Sequence, residues 1–507
     1  MKDKDGNIIE NVMIVAGGNS NTEIAKSNGT VWSIGYNGYG ELGDGSTTST
    51  NKLECISTQY IKLNQREVTL KLSNPEYQIK PETVYGFNLL FDIAENNGFT
   101  YKSLDNNIAT VDEETGKVTA NGLGRTYIIL KSKDAEDEAW VVINVIDDDK
   151  KVKEKVEAGN IHSLALKQDG TIWSFGDNSQ GEMGNGTISS INTTEPTQIV
   201  TGMYTEIKEE ETEEGSTQVT TTNIEVKLDN IKDIAAGYNF NLAVDSNGYV
   251  YSWGYNGYGQ LADGTTTSSN TFKKANISDV IAISAGSSTM HALKKDGTVW
   301  SWGLNSYGEY GNNATSSLAN YVPCKMSKIP NIMQLASGES HIAMIAADGS
   351  VWAVGRNGEG QLGLGNTTDI YVPTQMVSKT GSGILTGVKE ISCNIYSTSL
   401  ITDSGEVYAV GQNNYGQLAT KDTQNKSVIV PMLDSSSAQL KNVNHIYSAG
   451  YATFATKNEN GLYVTGYASC AQNFTQSTST RKYLYKTQEN KKIIAMALTR
   501  STGKQTG

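Results

Sequence analysis

Residues able to carry acid–base, nucleophilic or metal chemistry are few and dispersed. Four histidines (His162, His291, His341, His445) and four cysteines (Cys55, Cys324, Cys393, Cys470) serve 507 residues, with no CxxC pair. That spacing excludes a disulfide scaffold and a structural zinc site, and no Ser-His-Asp or Cys-His arrangement stands out. Glycine triplets such as Gly35-Tyr-Asn-Gly-Tyr-Gly follow a strand pattern, but they open no helix and lack the Lys-Ser/Thr of a phosphate loop. The Asp-Gly and Asn-Gly pairs show no three-carboxylate spacing for calcium. The expectation is no catalytic residue, no metal and no cofactor. Recognition chemistry is better supplied. Tyr36, Tyr39, Tyr255, Tyr258, Tyr307 and Tyr415 follow glycines and sit among Asn, Gly and Ser, which combine rigid aromatic area with adaptable hydrogen bonding. A second group is acidic: Glu206, Glu209, Glu210, Glu211, Glu213 and Glu214, with Lys208 as the one base among them. The six tyrosines, with Glu209, Glu210, Glu211, Glu213 and Glu214, form the candidate partner-binding set. Each has a plainer reading. A residue that recurs with a repeat serves the packing of the repeat, and an acidic run solvates a loop and discourages edge pairing.

The tyrosines recur because a larger phrase recurs. An apolar run, Ala-Gly, a short apolar stretch, Asp/Asn-Gly and an aromatic lead to a glycine at Gly35, Gly176, Gly254, Gly303, Gly355, Gly411 and Gly466. The last five anchors follow one another at 49–56 residues, whereas the first two gaps are 141 and 78 and must hold insertions. Each copy reads as β structure. Leu164 and Leu166 alternate with Ser163 and Ala165 before Asp169-Gly170, a two-residue hairpin signal, and Thr171-Ile-Trp-Ser-Phe returns as the partner strand. Two residues past six of the anchors stands an asparagine (Asn37, Asn178, Asn256, Asn305, Asn357, Asn413), suited to an Asx-turn. Pro196, Pro323, Pro373 and Pro431 mark an outer edge strand. Four strands per copy and seven copies predict a seven-bladed propeller.

The remaining columns read as structural. His162 and His341 share a position with Asn21, Phe240, Thr289, Ser397 and Thr453, and the rings are expected to bond neighbouring backbone. Trp32, Trp173, Trp253, Trp300, Trp302 and Trp352 are expected to pack between blades, with a sugar-stacking platform as the lesser reading. Composition agrees with short strands and tight turns: 51 glycines against 7 prolines, where averages are about 7% and 5%. A net charge of −13 gives no attraction to a phosphate backbone, so nucleic acid is not an expected partner. No apolar stretch reaches the ~18 residues of a membrane-spanning helix. Met1-Lys-Asp-Lys-Asp-Gly leads into no signal core.

The sentence AG-x-x-H-S-x-A-L, D-G-x-V-W-x-W-G, x-N-x-x-G-Q-L-G resembles the repeats of the regulator of chromosome condensation family, over everything outside the two insertions. That resemblance implies a seven-bladed β-propeller. It also implies a binding scaffold, since family members include exchange factors for small GTPases and a bacterial inhibitor of β-lactamases. The first insertion, 60–147, resembles the bacterial immunoglobulin-like group 2 domain at Ile108, Ala109, Val111, Gly116, Val118, Ala120, Gly124 and Trp140–Val145, with Tyr101 where that family has Trp. The second, 203–230, has alternating arms around Glu214-Gly215-Ser216 and reads as a projecting acidic β-hairpin. The expected fold is all-β: blade 1 in 1–59, an immunoglobulin-like sandwich in 60–147 and blades 2–7 in 148–507. The expected function is a non-catalytic protein-binding scaffold, a monomer without membrane insertion, at a bacterial cell surface or secreted, and a piece of a longer protein. An exchange factor acting on a host GTPase and a glycan-binding propeller are the alternatives.

Overall fold

A computed structural model describes residues 12–17, 21–26, 31–36, 49–55, 59–63, 65–85, 98–133, 138–146, 152, 154–199, 201–211, 217–228, 230–378, 381, 383–457, 461–467 and 481–486. Every regular element among them is a β-strand. Seven antiparallel four-stranded sheets have their strands in chain order, at 12–55, 155–199, 231–274, 280–325, 332–375, 388–431 and 445–486. These are blades 1–7 of a β-propeller. The chain divides into two compact units, 1–145 and 146–507, so blade 1 and blades 2–7 are described separately.

In the second unit the innermost strand of each blade packs beside that of the next, from Lys155–Ala158 through to His445–Ala449. The apolar core therefore lies between blades. Leu164, Leu166, Ile172 and Ile199 of blade 2 meet Ile231, Ile234, Trp253 and Phe272 of blade 3. Phe240, Leu242 and Val250 of blade 3 meet Val280, Met290 and Trp302 of blade 4 in the same way. A strand covered on both faces has no solvent side, so Phe240–Asp245 and His341–Ala346 are buried at every position, whereas the outer strand Ser269–Lys274 is mostly half-exposed. Burying each large side chain is worth about 1.5–3 kcal/mol.

The seven anchor glycines hold the third strand to the second. Their φ angles run from 93° to 128°. At Gly355 an added Cβ would stand 2.5 Å from the Ser340 carbonyl oxygen, which no L side chain tolerates.

The first unit holds, besides blade 1 and a two-stranded pair of Gln59–Leu63 with Pro81–Tyr85, two sheets around one core. Glu67–Lys71, Glu138–Ile146, Gly124–Ser132 and Phe99–Ser103 form one; Ala109–Val111, Lys117–Ala120 and Glu76–Gln78 form the other. Val68, Phe99, Tyr101, Ile128, Leu130 and Val141 from the first meet Ala109, Val118 and Ala120 from the second. Between blades 2 and 3 runs a two-stranded hairpin, Thr201–Glu211 paired with Thr217–Lys227.

Candidate binding face

In blades 2–7 two loops of each blade meet at one end. The first joins strands one and two and carries the Ala-Gly pair; the second follows the anchor glycine. The amide just past each anchor donates to the first loop's carbonyl: Asp177 to Ile161, Tyr255 to Asn239, Leu304 to Ser288, Arg356 to Ser340, Gln412 to Tyr396 and Tyr467 to Tyr451, at 2.8–2.9 Å. Neighbouring blades are tied at the same end. Asn160 N donates to Tyr238 O, Tyr238 N to Ser287 O, Ser287 N to Glu339 O and Glu339 N to Ile395 O, at 3.0–3.2 Å.

Two buried polar columns hold the second loop. The asparagine column is more than an Asx-turn. Asn357 Oδ1 accepts from Leu362 N at 3.0 Å while its Nδ2 donates to Asn366 O at 3.1 Å, and Asn178, Asn256, Asn305 and Asn413 do the same in their blades. The next column, Glu182, Gln260, Glu309, Gln361 and Gln417, accepts the amide two residues back at 2.8–3.0 Å. Burial pushes the carboxyls of Glu182 and Glu309 up to about 7.

The scaffold presents a tyrosine-rich surface. Tyr255 and Tyr258 meet edge to face, 6.2 Å between centroids. Tyr415 lies 4.7 Å from Tyr451 and 4.9 Å from Tyr467. The Arg356 guanidinium stands 4.3 Å over the Tyr396 ring and 5.8 Å from that of Tyr307, and it holds Glu359 with both terminal nitrogens, at 2.8 and 3.0 Å. The Tyr396 hydroxyl bonds Glu339; burial first, then that carboxylate, raises the phenol above its usual range. Four of the six expected tyrosines (Tyr255, Tyr258, Tyr307, Tyr415) thus belong to this face. Tyr36 is exposed in the first unit, and Tyr39 lies outside the described residues. Arg356, Glu339 and Glu359 were missed because each is the exception in its column; Tyr396 and Tyr451 stand where the other blades hold Ile161, Asn239, Ser288 and Ser340, and Tyr467 shares the column of Tyr36 and Tyr255 but lies where blade 7 loses the repeat.

The acidic hairpin does not join this surface at its base. Ile199, two residues before Thr201, pairs with Ile172, and Ile231 N donates to Gly170 O, so the hairpin leaves from the blade end that carries the Asp-Gly turns. Glu209, Glu210 and Glu211 end its first arm, while Glu213 and Glu214 lie outside the described residues.

Three histidines are buried, and they bond side chains instead of the backbone expected for them. His162 Nε2 meets Asn241 Oδ1 at 2.8 Å, His341 Nε2 meets Thr398 Oγ1 at 3.1 Å and His291 Nδ1 meets Ser301 Oγ at 2.8 Å. Burial lowers their pKa values to about 4, 3 and 3, so the rings are neutral linkers between strands and blades. The pairing of Ala452 with Gly466 also puts Ala452, not Thr453, in the histidine column of blade 7. The tryptophans fall in two columns, of which only one packs between blades. Trp253 and Trp302 are fully buried and donate across to Glu182 O and Gln260 O of the preceding blade, each at 2.8 Å. Trp173, Trp300 and Trp352 are half-buried and donate to Thr171, Thr298 and Ser350 of their own hairpin turns. Among the described residues no three His, Cys, Asp or Glu side chains converge as metal ligands, and no helix is long and apolar enough to cross a membrane.

Comparison with known proteins decides the family. The RCC1-like domain matches residues 2–380 and 115–501. The chain belongs to that family. Relatives of this RCC1-like chain include the ultraviolet-B receptor UVR8 of Arabidopsis thaliana, 28% identical over 54% of this chain and 56% of UVR8. Another is the secretion-regulating guanine nucleotide exchange factor of Bos taurus, 32% identical over 19% of this chain and 20% of the relative. The chain thus spans little more than half of the first and a fifth of the second. Yeast RCC1 (Prp20), solved with Kap60 bound, superposes with a TM-score of 0.51 at 18% identity, covering 65% of this chain and 74% of that one.

Proposed function

We propose that this RCC1-like propeller is a non-catalytic protein-binding scaffold whose partner docks on the tyrosine face of blades 3–7. The observation that carries this reading is the convergence of Tyr255, Tyr258, Tyr307, Tyr396, Tyr415, Tyr451 and Tyr467 with Arg356 at one blade end. Tyr and Arg are the residues that anchor protein interfaces. The loops beneath them are fixed by buried hydrogen bonds, so little ordering entropy is lost on docking. Relatives named as an exchange factor and as a light receptor support a role in regulation through binding. We place the protein at a bacterial cell surface or in secretion, with residues 60–147 as an immunoglobulin-like spacer.

A photo-crosslinking residue at Tyr258 or Tyr307 should capture a discrete partner from the native host. The same residue at Asn247, in the exposed turn at the opposite blade end, should not. Equal capture from both ends refutes the face. Nucleotide exchange on purified small GTPases tests the exchange-factor alternative, for which the hairpin Thr201–Lys227 offers a projecting element. A glycan array tests the sugar alternative.

A further inference from the structure

We propose that the patch formed by Glu339, Tyr396 and Tyr451 receives a basic side chain, lysine or arginine, projected by a protein partner. The inference rests on the reading above that this face binds protein, and it adds the chemistry of what is bound.

The protein itself shows how this surface holds a cation. Arg356 follows the anchor of blade 5, lies over Tyr396 from the next blade and is held by Glu359 through one hydrogen bond, Nη2 to Oε1 at 3.0 Å, and the ion pair of the two groups. One blade further on the same frame recurs without its cation. Tyr451 takes the place of Tyr396, since each lends its carbonyl to the amide that follows its blade's anchor. The residue equivalent to Arg356 is there Gln412, which is neutral and is taken by the Gln417 amide at 3.3 Å.

Beside these rings lies a carboxylate in need of a partner. The Tyr396 hydroxyl interacts with the Glu339 carboxylate. Its Oε2 is closed to solvent and has no hydrogen-bond partner among the described residues. A carboxylate so placed favours a charge-assisted bond from an ammonium or guanidinium, and tyrosine faces attract the same groups. Its negative charge is felt by both rings, because Glu339 contributes to the raised phenol pKa of Tyr396 and of Tyr451, after burial in each case. Arg356 does not answer it: its Nη2 bonds Glu359, and its Nη1, though without a hydrogen-bond partner among the described residues, makes none to Glu339. The Glu339 main chain is held in place, because its amide and carbonyl are both links in the chain of bonds that joins the blades, while side-chain rotation lets the closed oxygen turn out to meet a cation. The geometry is that of an acceptor on an anchored main chain: a carboxylate with an unpartnered oxygen, flanked by half-buried aromatic rings on a surface otherwise suited to protein.

The test uses the full chain and three peptides, acetyl-Arg-Arg-Arg-amide, acetyl-Lys-Lys-Lys-amide and acetyl-Glu-Glu-Glu-amide, titrated by calorimetry at low salt. The two basic peptides should bind and the acidic one should not. Glu339→Gln preserves shape and the Tyr396 bond, and should weaken basic-peptide binding at least fivefold; Tyr451→Leu should also weaken it. Glu195→Gln, at an exposed site on the outer strand of blade 2, controls for general attraction to an acidic protein and should stay within twofold of the parent. On the unsubstituted protein, ring resonances of Tyr396 and Tyr451 should move as basic peptide is added, a readout independent of whether any variant folds. If those resonances stay still, or Glu339→Gln binds within twofold of the parent, the proposal is overturned. Cross-links from Tyr258 or Tyr307 would still register a partner in that event, so the two readings fail separately.

Discussion

Replacing Glu309 with glutamine should stabilise the propeller at and above neutral pH. Glu309 occupies a column that holds glutamine in three other blades, and it makes the bond those glutamines make: Oε2 accepts from Tyr307 N at 2.8 Å. It is 2% exposed, and burial raises its pKa from 4.5 to about 7, with Asp369 adding to the rise and two backbone bonds opposing it. The folded chain therefore holds a proton that the unfolded chain releases at lower pH. Stability contributed by that proton is present below pH 4.5 and is lost as pH rises to about 7, after which the loss is constant. At about 1.36 kcal/mol per pH unit, the loss is roughly 1 kcal/mol at pH 5 and about 3 kcal/mol at pH 8. Glutamine supplies the same acceptor and never ionises. Urea unfolding followed by tryptophan fluorescence at pH 5 and pH 8 measures the comparison that matters, the change in the variant-minus-parent difference between the two pH values. It should grow by about 2 kcal/mol in the variant's favour. A difference that stays the same at both pH values would show that the carboxylate is solvated in the folded state, and the argument from burial would fall.

Other outcomes follow from the same geometry. Gly338→Ala would place a Cβ 2.1 Å from His341 Cε1 and 2.6 Å from Asn394 O, so the urea midpoint should drop by an amount worth about 1–3 kcal/mol. Nitrogen NMR should find the His162 ring neutral down to about pH 4. Because its folded pKa lies below the ordinary 6.5, its contribution to stability is lost as pH falls from about 6.5 towards 4, which His162→Phe should remove, since Phe240 fills the same column. Residues 59–146, expressed alone, should melt cooperatively by near-ultraviolet circular dichroism, because one core from Leu63 to Val145 serves both sheets; a non-cooperative melt would show that the fragment needs the rest of the chain.

Much of the fold was legible because the constraint repeats. Only glycine takes φ near 100° against a carbonyl 2.5 Å away, so the seven anchors stood out as a spacing pattern and fixed the number of blades. The asparagines were visible as turn formers, but their reach to amides five residues on and carbonyls nine residues on belongs to the folded loop and has no local signal. The Glu/Gln column was equally regular, always following a loop glycine, and its chemistry emerges only once burial is known. The face was half legible. Tyrosines that recur could be read from the columns. Arg356 is the lone base in a column of Tyr36, Asp177, Tyr255, Leu304, Gln412 and Tyr467, and comparing repeats hides a residue that differs in one of them. Glu339 escaped for the same reason, and its free oxygen depends on which neighbours the fold brings to it.

The bonds that run from Asn160 through Tyr238, Ser287 and Glu339 to Ile395 all point the same way round, each loop giving its amide to the blade ahead and its carbonyl to the blade behind. Such a chain acts as a graduated rule. The loops of adjacent blades from 2 to 6 are spaced by peptide links of 3.0–3.2 Å in addition to the side chains packed below them. Substitutions on the displayed surface can therefore change what each mark says without moving the marks. A partner that spans two neighbouring blades along this chain, from blade 2 to blade 6, meets the same peptide-linked step at each pair, and affinity for it can be retuned one residue at a time.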